Sequence, residues 1–199
     1  MISLRPAADT DVPRIVELVQ AAYRGQGGWT TEAHLVDGHR TDAAEVRAML
    51  ADPAVTLLVA TGGSGMGDGD GASDDEAGAA ERVLGCCYTR REVPDEHGAV
   101  RAELGLFAVD PAAQGAGLGG RLLEAQAASL AADGVDVLMI QVLQSRPELH
   151  SWYERHGFVP TGQAVPFPGD PARLKVGGLG MDVMERPLHA DGRAVRPSA

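Results

Sequence analysis

Apolar positions recur with two different periods in the first part of the chain, and each period predicts one kind of element. Residues 2–6 alternate like a short strand, and residues 55–60 form a compact apolar run typical of a second strand. Between them, 11–23 and 42–50 carry apolar residues at helical spacing, and the second helix ends before Pro53. The inward face of the first helix is formed by Ile15, Leu18, Val19 and Ala22.

Residues 62–80 interrupt this pattern. Their sequence, GGSGMGDGDGASDDEAGAA, has no apolar periodicity and is rich in glycine and acidic residues. Strand-like sequence resumes directly afterwards, so we interpret 62–80 as a loop insertion between two paired strands and not as a linker between domains. A solvated hairpin loop without a function of its own is the favoured interpretation.

The second half of the chain continues the alternation of strands and helices. The order β-α-α-β-β-β-α-β-α-β-β inserts helices among strands without strict alternation. It therefore predicts an α/β fold of the α+β type, with a mixed, mostly antiparallel sheet of six to seven strands and helices on both faces. We expect one domain over 1–186 and a flexible tail over 187–199. The remaining predicted strands are 82–90, 101–109, 136–143, 157–165 and 180–185, and the helices are a segment ending near 132 and 147–155.

Composition fits one cored domain of 199 residues, of which 44% are hydrophobic. No apolar stretch approaches the roughly 18 residues of a membrane span, and the N-terminus lacks the regions of a signal peptide. Cys86 and Cys87 are adjacent and resemble small strand residues more than a disulfide or a metal site. We therefore expect a cytoplasmic protein that does not bind membranes.

The formal charge of −11 argues against nucleic acid as a partner. Five of the acidic residues lie within 62–80, which has no Lys or Arg, so the rest of the chain still carries −6. This acidity weakly favours cationic or amine substrates. Acidity that serves only solubility is an equally good interpretation.

A glycine-rich turn between the strand at 101–109 and the next helix is the most informative stretch. Residues 103–123 read ELGLFAVDPAAQGAGLGGRLL. Glycines let the backbone approach a ligand without an intervening Cβ, and the unpaired amides of a first helical turn carry partial positive charge. Such a turn is an anion site, and a diphosphate is its natural ligand.

Gly115, Gly117 and Gly120 also fit the G-x-G-x-x-G fingerprint of dinucleotide-binding proteins. That fingerprint directly follows its strand and usually lies at the start of a domain. Here residues 111–114 intervene, more than a hundred residues precede the motif, and the next strand does not end in an acidic residue. A nucleotide-dependent oxidoreductase is therefore disfavoured.

The same turn, spelled Val-Asp-Pro and then Gln-x-x-Gly-x-Gly over residues 109–119, resembles the acetyl-CoA motif of the GNAT superfamily of N-acetyltransferases. A second stretch, LHSWYERHGF at 149–158, resembles the other GNAT signature, a short helix ending in Tyr-Glu-x-x-Gly-Phe. The resemblance implies the GNAT fold, acetyl-CoA (coenzyme A) as co-substrate, and direct acetyl transfer to an amine in a ternary complex.

The resemblance also implies which residues hold coenzyme A. In that family the amides of the turn bind the pyrophosphate, and the end of the preceding strand pairs with the pantetheine arm. Many relatives have an asparagine after the fifth strand; here residues 144–147 read Gln-Ser-Arg-Pro, so Ser145 or Gln144 would replace it. The other positions implied are Phe107, Ala108, Val109, Gln114, Gly115, Ala116, Gly117, Leu118, Gly119 and Gly120.

Tyr153 and Glu103 are the candidate catalytic residues. Tyr153 is similar in position to the family's tyrosine near the coenzyme A sulfur, and a phenol with a pKa of about 10 can protonate a leaving thiolate. Burial in an apolar strand would raise the pKa of Glu103 toward that of a useful base, and some family members carry a glutamate at this spacing. Strand alternation predicts that Glu103, Gly105, Phe107 and Val109 share one face. By resemblance, a bulge amide of Phe107 or Val109 polarises the acetyl carbonyl.

The acceptor site is expected between residues 23–40 and the loop after 158, with Trp29, Glu32 and His34 in its wall. The histidines there lack metal-ligand spacing, so no metal is expected. The expected acceptor is an amine on a small molecule or peptide, and the expected assembly is a monomer or homodimer. The alternative function is a non-catalytic CoA-binding regulatory module, which the presence of both catalytic candidates disfavours.

Overall fold

The computed structural model describes residues 2–25, 29, 31–63, 81–168 and 170–189. Most of the predicted insertion, residues 64–80, and the end of the predicted tail, residues 190–199, lie outside the described residues. No helix in the described part is long and apolar enough to cross a membrane.

The predicted elements are all present, with only small shifts at their ends. The strands are β1 Ile2–Pro6, β2 Val55–Gly62, β3 Arg82–Arg91, β4 Arg101–Val109, β5 Val137–Leu143, β6 Val159–Pro166 and β7 Gly180–Pro187. The helices are α1 Val12–Arg24, α2 Ala43–Ala51, α3 Leu118–Ala132 and α4 Pro147–Arg155.

Local chemistry accounts for several of these boundaries. The Asp42 side chain accepts a hydrogen bond of 2.8 Å from the Glu45 amide and so caps α2. A proline stands in the first turn of both α1 and α4, where its missing N–H costs nothing. Gly157 follows α4 with a φ of 83°, a left-handed conformation that needs no Cβ penalty in glycine.

The seven strands form one sheet in the order β1-β2-β3-β4-β5-β7-β6. All neighbours run antiparallel except β4 and β5, which run parallel. The predicted mixed, mostly antiparallel sheet is confirmed, at the upper end of the predicted strand number.

Helices cover both faces of the sheet, as predicted, and each face has its own core. One core joins α1 and α2 to the sheet and includes Ile15, Leu18, Leu106 and Ala108. The other joins α3 and α4 to the opposite face and includes Leu104, Leu122, Leu123 and Phe158. Cys86 and Cys87 are fully buried, one in each core. Burial raises the pKa of both thiols, that of Cys86 to about 12, so both stay protonated packing groups.

Two irregularities meet near the middle of β4. Its pairing with β5 is limited to Arg101, Ala102 and Glu103, and beyond Glu103 the two parallel strands part. The register with β3 then shifts between Cys86 and Tyr88, and Leu106 has a φ of 46°. A β-bulge therefore lies in β4 where the sheet splits.

Beyond the bulge, the even- and odd-numbered side chains of β4 exchange the faces of the sheet on which they lie. Leu104 packs in the α3/α4 core, whereas Leu106 packs in the α1/α2 core. Phe107 and Val109 consequently lie against the α3/α4 core, away from the face of Glu103 and Gly105. The prediction that these four odd-numbered residues share one face is wrong, because the extra residue of the bulge interrupts the two-residue period.

Candidate active site

A cavity of ≈ 1130 Å³ lies where β4 and β5 part. Its walls come from both faces of the sheet because the bulge directs β4 side chains to both. We call the wall next to the α3 N-terminus the turn side; it comprises Phe107, Val109, Gly115, Gly117, Gly119, Gly120, Trp152 and Tyr153. We call the wall next to α1 the arginine side; it comprises Tyr23, Arg24, Glu32, Arg40, Tyr88, Arg90 and Glu103.

The glycine-rich turn requires glycine for its backbone shape. Gly115 and Gly117 have φ values of 84° and 74°, in the left-handed region, although a Cβ at either position would meet nothing within 4 Å. Gly117 is the N-cap residue of α3. The amides of the first turn of α3 therefore lie beside the cavity, where they can bind an anion.

Gly119 brings the helix backbone close to the aromatic wall of the turn side. A Cβ there would lie 3.6 Å from Trp152, 3.7 Å from Phe107 and 3.8 Å from Val109. Trp152 in turn contacts Phe107, with ring centroids 5.7 Å apart. An apolar channel thus begins beside the anion-binding turn and leads toward Tyr153.

Gln114 joins the turn to the loop after α1. Its side-chain amide nitrogen donates to the Val109 carbonyl over 3.2 Å, and its oxygen accepts from the Trp29 amide over 2.9 Å. The residue lines the cavity, as expected for a cofactor contact, but its polar atoms are used within the protein. It therefore holds three parts of the cavity wall together.

Tyr153 is buried at the inner end of the turn side. Its ring lies 6.5 Å from Phe107, 4.9 Å from Trp152 and 5.4 Å from Phe158, centroid to centroid. Burial raises its pKa well above 10, so the phenol is protonated at neutral pH. Among the residues that the structure describes, none forms a hydrogen bond with its hydroxyl, which is therefore available to a ligand in the cavity.

Glu103 lies half-buried on the arginine side and pairs in register with Arg90 of β3. Burial raises the pKa of this carboxyl; Arg90 and Arg40 oppose the rise, and Glu92 adds to it. A carboxylate with a raised pKa is a better proton acceptor than an exposed one. The sequence-based expectation of a raised pKa at Glu103 is confirmed in direction.

Two arginines of the arginine side stack on tyrosine rings. The Arg40 guanidinium lies 5.2 Å from the Tyr23 ring centroid, and that of Arg90 lies 5.6 Å from the Tyr88 centroid. Both distances are those of cation–π contacts. Burial raises the pKa of Tyr23 and, to a smaller extent, that of Tyr88, so both hydroxyls stay protonated.

Glu32 pairs with Arg24 over 3.3 Å at the edge of this wall. Burial raises the pKa of Glu32, and the nearby Arg24 opposes the rise. The backbone amide of Glu32 also donates a hydrogen bond of 2.8 Å to the Tyr23 carbonyl. Glu32 is thus a structural wall residue whose charge is already compensated.

Arg146 fixes the loop that carries Trp29, and the sequence pattern did not identify it. Its guanidinium donates to the Trp29 carbonyl over 2.6 Å and to the Thr31 carbonyl over 2.8 Å, and it pairs with Glu148. The residue is only 6% exposed. The available signal was an arginine directly before Pro147.

Most of the predicted site residues line one cavity. These are Trp29, Glu32, Glu103, Phe107, Val109, Gln114, Gly115, Gly117, Leu118, Gly119, Gly120 and Tyr153. Four do not: Ala108 packs in the α1/α2 core, and His34, Ala116 and Ser145 are exposed and outside the lining. His39 and Arg40 line the wall instead of His34. In the described ranges, no three or more His, Cys, Asp or Glu side chains form a group that could hold a metal.

Comparison with known proteins agrees with this arrangement. Residues 72–160 match the family model described as "Acetyltransferase (GNAT) domain". No curated protein sequence matches the chain.

Solved structures share the fold at low sequence identity. NAA60 of Arabidopsis thaliana, in complex with a bisubstrate analogue, has a TM-score of 0.70 and 10% identity, covering 95% of this chain and 100% of that one. A GCN5-related N-acetyltransferase from Kribbella flavida has a TM-score of 0.61 and 21% identity, covering 94% and 97%. The ribosomal-protein-alanine N-acetyltransferase from Brucella melitensis has a TM-score of 0.63 and 19% identity, covering 93% and 99%.

Proposed function

We propose that this chain is a GNAT acyltransferase that transfers an acetyl group from acetyl-CoA to an amine, in line with its match to the acetyltransferase (GNAT) domain model over residues 72–160. The observation that carries this proposal is the cavity at the split between β4 and β5. It connects a glycine-rich helix N-terminus and a protonated tyrosine on one face to a half-buried glutamate on the other. Acetyl-CoA, the acetyl donor, and the amine, its acceptor, can therefore meet at the split, each from its own face of the sheet.

The turn side fits coenzyme A. The left-handed glycines at 115 and 117 and the first turn of α3 offer backbone amides to a diphosphate. The apolar wall of Phe107, Val109 and Trp152 fits a pantetheine arm, and acetyl-CoA supplies an activated acyl group as a thioester. Ala108, Ala116 and Ser145 remain proposed contacts through the resemblance alone, because none of the three residues lines the cavity.

The chemistry assigned to this chain is proton transfer and carbonyl polarisation. Glu103 accepts a proton from the acceptor ammonium, directly or through water, so that the neutral amine attacks the acetyl carbon. A backbone amide at the β4 bulge, that of Phe107 or Val109, donates to the acetyl oxygen. As the carbon–sulfur bond breaks, Tyr153 gives its proton to the sulfur. The remaining amine proton replaces, through solvent, the one that Tyr153 gave up, Glu103 releases its proton to solvent, and no covalent enzyme intermediate forms.

Several broader properties belong to this proposal. The catalytic domain comprises residues 1–186, and the acceptor amine is carried by a small molecule or a peptide. The protein acts in the cytoplasm as a monomer or homodimer. Nothing in the reaction as proposed uses a metal ion.

Acceptor-dependent turnover tests the proposal. The purified chain is incubated with acetyl-CoA and a panel of amines, and both the free thiol of CoA and the N-acetyl product are measured. We expect the two to appear in equal amounts. Binding of acetyl-CoA without product for any amine would instead support the non-catalytic CoA-binding module.

A further inference from the structure

Arg40 and Arg90 carry guanidinium groups at the cavity, where both act on Glu103 through space and lower its pKa. Both line its arginine side, and neither forms a salt bridge within the residues that the structure describes. Arg24, in the same wall, behaves differently, because Glu32 already compensates it at 3.3 Å. Two guanidinium groups in one wall that form no salt bridge there have N–H groups free to bind an anion.

Both guanidinium groups are held by tyrosine rings that the fold positions. The Tyr23 hydroxyl donates to the Phe107 carbonyl over 3.0 Å, and Arg40 lies over this ring. The Tyr88 ring lies directly on Gly105, where a Cβ would come within 2.4 Å of it, and Arg90 lies over Tyr88. Stacking on a ring face leaves the N–H edges of a guanidinium free to bind a planar carboxylate.

The position of these arginines relative to Glu103 limits how far the anionic group of the ligand can lie from its reacting amine. Arg90 and Glu103 are direct cross-strand partners, which places their Cβ atoms about 5 Å apart. An amine that reaches Glu103 therefore has its nearest substituents beside Arg90. A second ammonium at that place, as in a polyamine, would face guanidinium groups and be repelled.

We propose that the acceptor is an amino carboxylate, in which a carboxylate lies a few bonds from the reacting amine and binds Arg40 and Arg90. This inference rests on the proposed acetyl transfer and adds the substrate class to it. It runs opposite to the weak expectation from the net charge of −11.

Matched acceptors test the substrate class. L-Methionine, L-methioninamide and 3-(methylthio)propylamine share one side chain and differ in the carboxylate. A second set of the same kind is based on L-phenylalanine. Spermidine, a polyamine without a carboxylate, completes the panel. We expect kcat/KM for the free amino acids to exceed that for their amides by about tenfold or more, the order of a charge-assisted bidentate contact. Most of the difference should appear in KM.

Variants assign the preference to these two side chains. Arg40→Gln and Arg90→Gln should each reduce the ratio of acid to amide toward one. Arg91→Gln is the matched control, since Arg91 is the next residue of β3, is exposed and does not line the cavity. It removes the same charge and should leave the ratio unchanged.

The outcomes separate this inference from the proposed function. Turnover of the amides, of the simple amine or of spermidine at rates equal to or above those of the amino acids overturns the amino carboxylate while acetyl transfer stands. An acid preference that Arg40→Gln and Arg90→Gln leave intact overturns the assigned residues. Absence of turnover with every member of the panel overturns the amino carboxylate, and turnover of another amine, such as a peptide, would still support the acetyl transfer.

Discussion

The hydroxyl of Tyr23 donates a hydrogen bond of 3.0 Å to the carbonyl oxygen of Phe107, and this contact ties α1 to β4 directly after the bulge. The bond links a helix of the arginine side to the strand segment that faces the turn side. Because Phe107 follows the left-handed Leu106, the contact also helps to hold the bulge whose amides we assign to carbonyl polarisation.

Tyr23→Phe should lower both stability and activity. The substitution keeps the ring under Arg40 but leaves the Phe107 carbonyl without this donor, a loss of about 1–3 kcal/mol for a buried group. Thermal unfolding and steady-state kinetics measure the two effects. Tyr88→Phe is the control, since in the described ranges its hydroxyl makes no hydrogen bond. Equal stability of both variants would show that the Tyr23 contact does not hold the strand.

Glu103→Gln should lower kcat/KM by about 10²–10⁴, the usual contribution of a general base. In the parent protein, activity should fall as the pH drops through the raised pKa of Glu103, because the protonated carboxyl cannot accept a proton. The variant should lose this acidic limb of the pH–rate profile. A profile with the same limb in both proteins would assign it to another group.

The position of that limb should move with the charges around Glu103. Arg90 and Arg40 lower the pKa of Glu103, and Glu92 raises it. Arg90→Gln should therefore move the limb to higher pH, and Glu92→Gln should move it to lower pH. An amide acceptor is used for both, so that loss of carboxylate binding does not enter the measurement. Shifts in the same direction for the two variants would argue against Glu103 as the titrating base.

Tyr153→Phe should lower kcat far more than it changes the affinity for acetyl-CoA. The ring contacts with Phe107, Trp152 and Phe158 remain, while the proton for the leaving sulfur is lost. The expected factor is about 10²–10⁴. Tyr88→Phe again provides the comparison on the other wall. A kcat within about twofold of the parent would leave Tyr153 as a packing residue only.

Gly119→Ala should affect stability and cofactor binding in opposite directions. Alanine favours a helix over glycine by up to about 1 kcal/mol, and its Cβ meets neighbours only at ordinary contact distances of 3.6 to 3.8 Å. The same methyl group protrudes into the turn side, so the dissociation constant of CoA should rise about tenfold. Calorimetric titration and thermal unfolding test both. Ser129→Ala, on the exposed face of α3, should leave CoA binding unchanged.

The elements of this fold were predictable because their signals are local. The alternation in β4 and the helical spacing of Ile15, Leu18 and Val19 depend only on neighbouring residues, and each element lies where the pattern placed it. The glycine-rich turn was likewise predicted from its own residues, and Gly115 and Gly117 have the left-handed φ values that glycine permits.

The parts that local patterns did not indicate depend on partners distant in sequence. The bulge at Leu106, with its φ of 46°, was expected only through the resemblance, because it arises from the register of β4 against β3. Arg146 reads as an ordinary loop residue, yet it binds carbonyl groups of Trp29 and Thr31, 117 and 115 positions earlier. His34 and Ser145 were expected in the site on position alone, and the fold exposes both.

A crystal structure of the complex with coenzyme A tests the central claim most directly, namely that donor and acceptor meet at the split between β4 and β5. We predict the pyrophosphate on the amides of residues 115–120, the pantetheine arm along Phe107 and Val109, and the sulfur beside the Tyr153 hydroxyl. A coenzyme A bound outside the split, or one whose sulfur lies away from both Tyr153 and Glu103, would contradict the account.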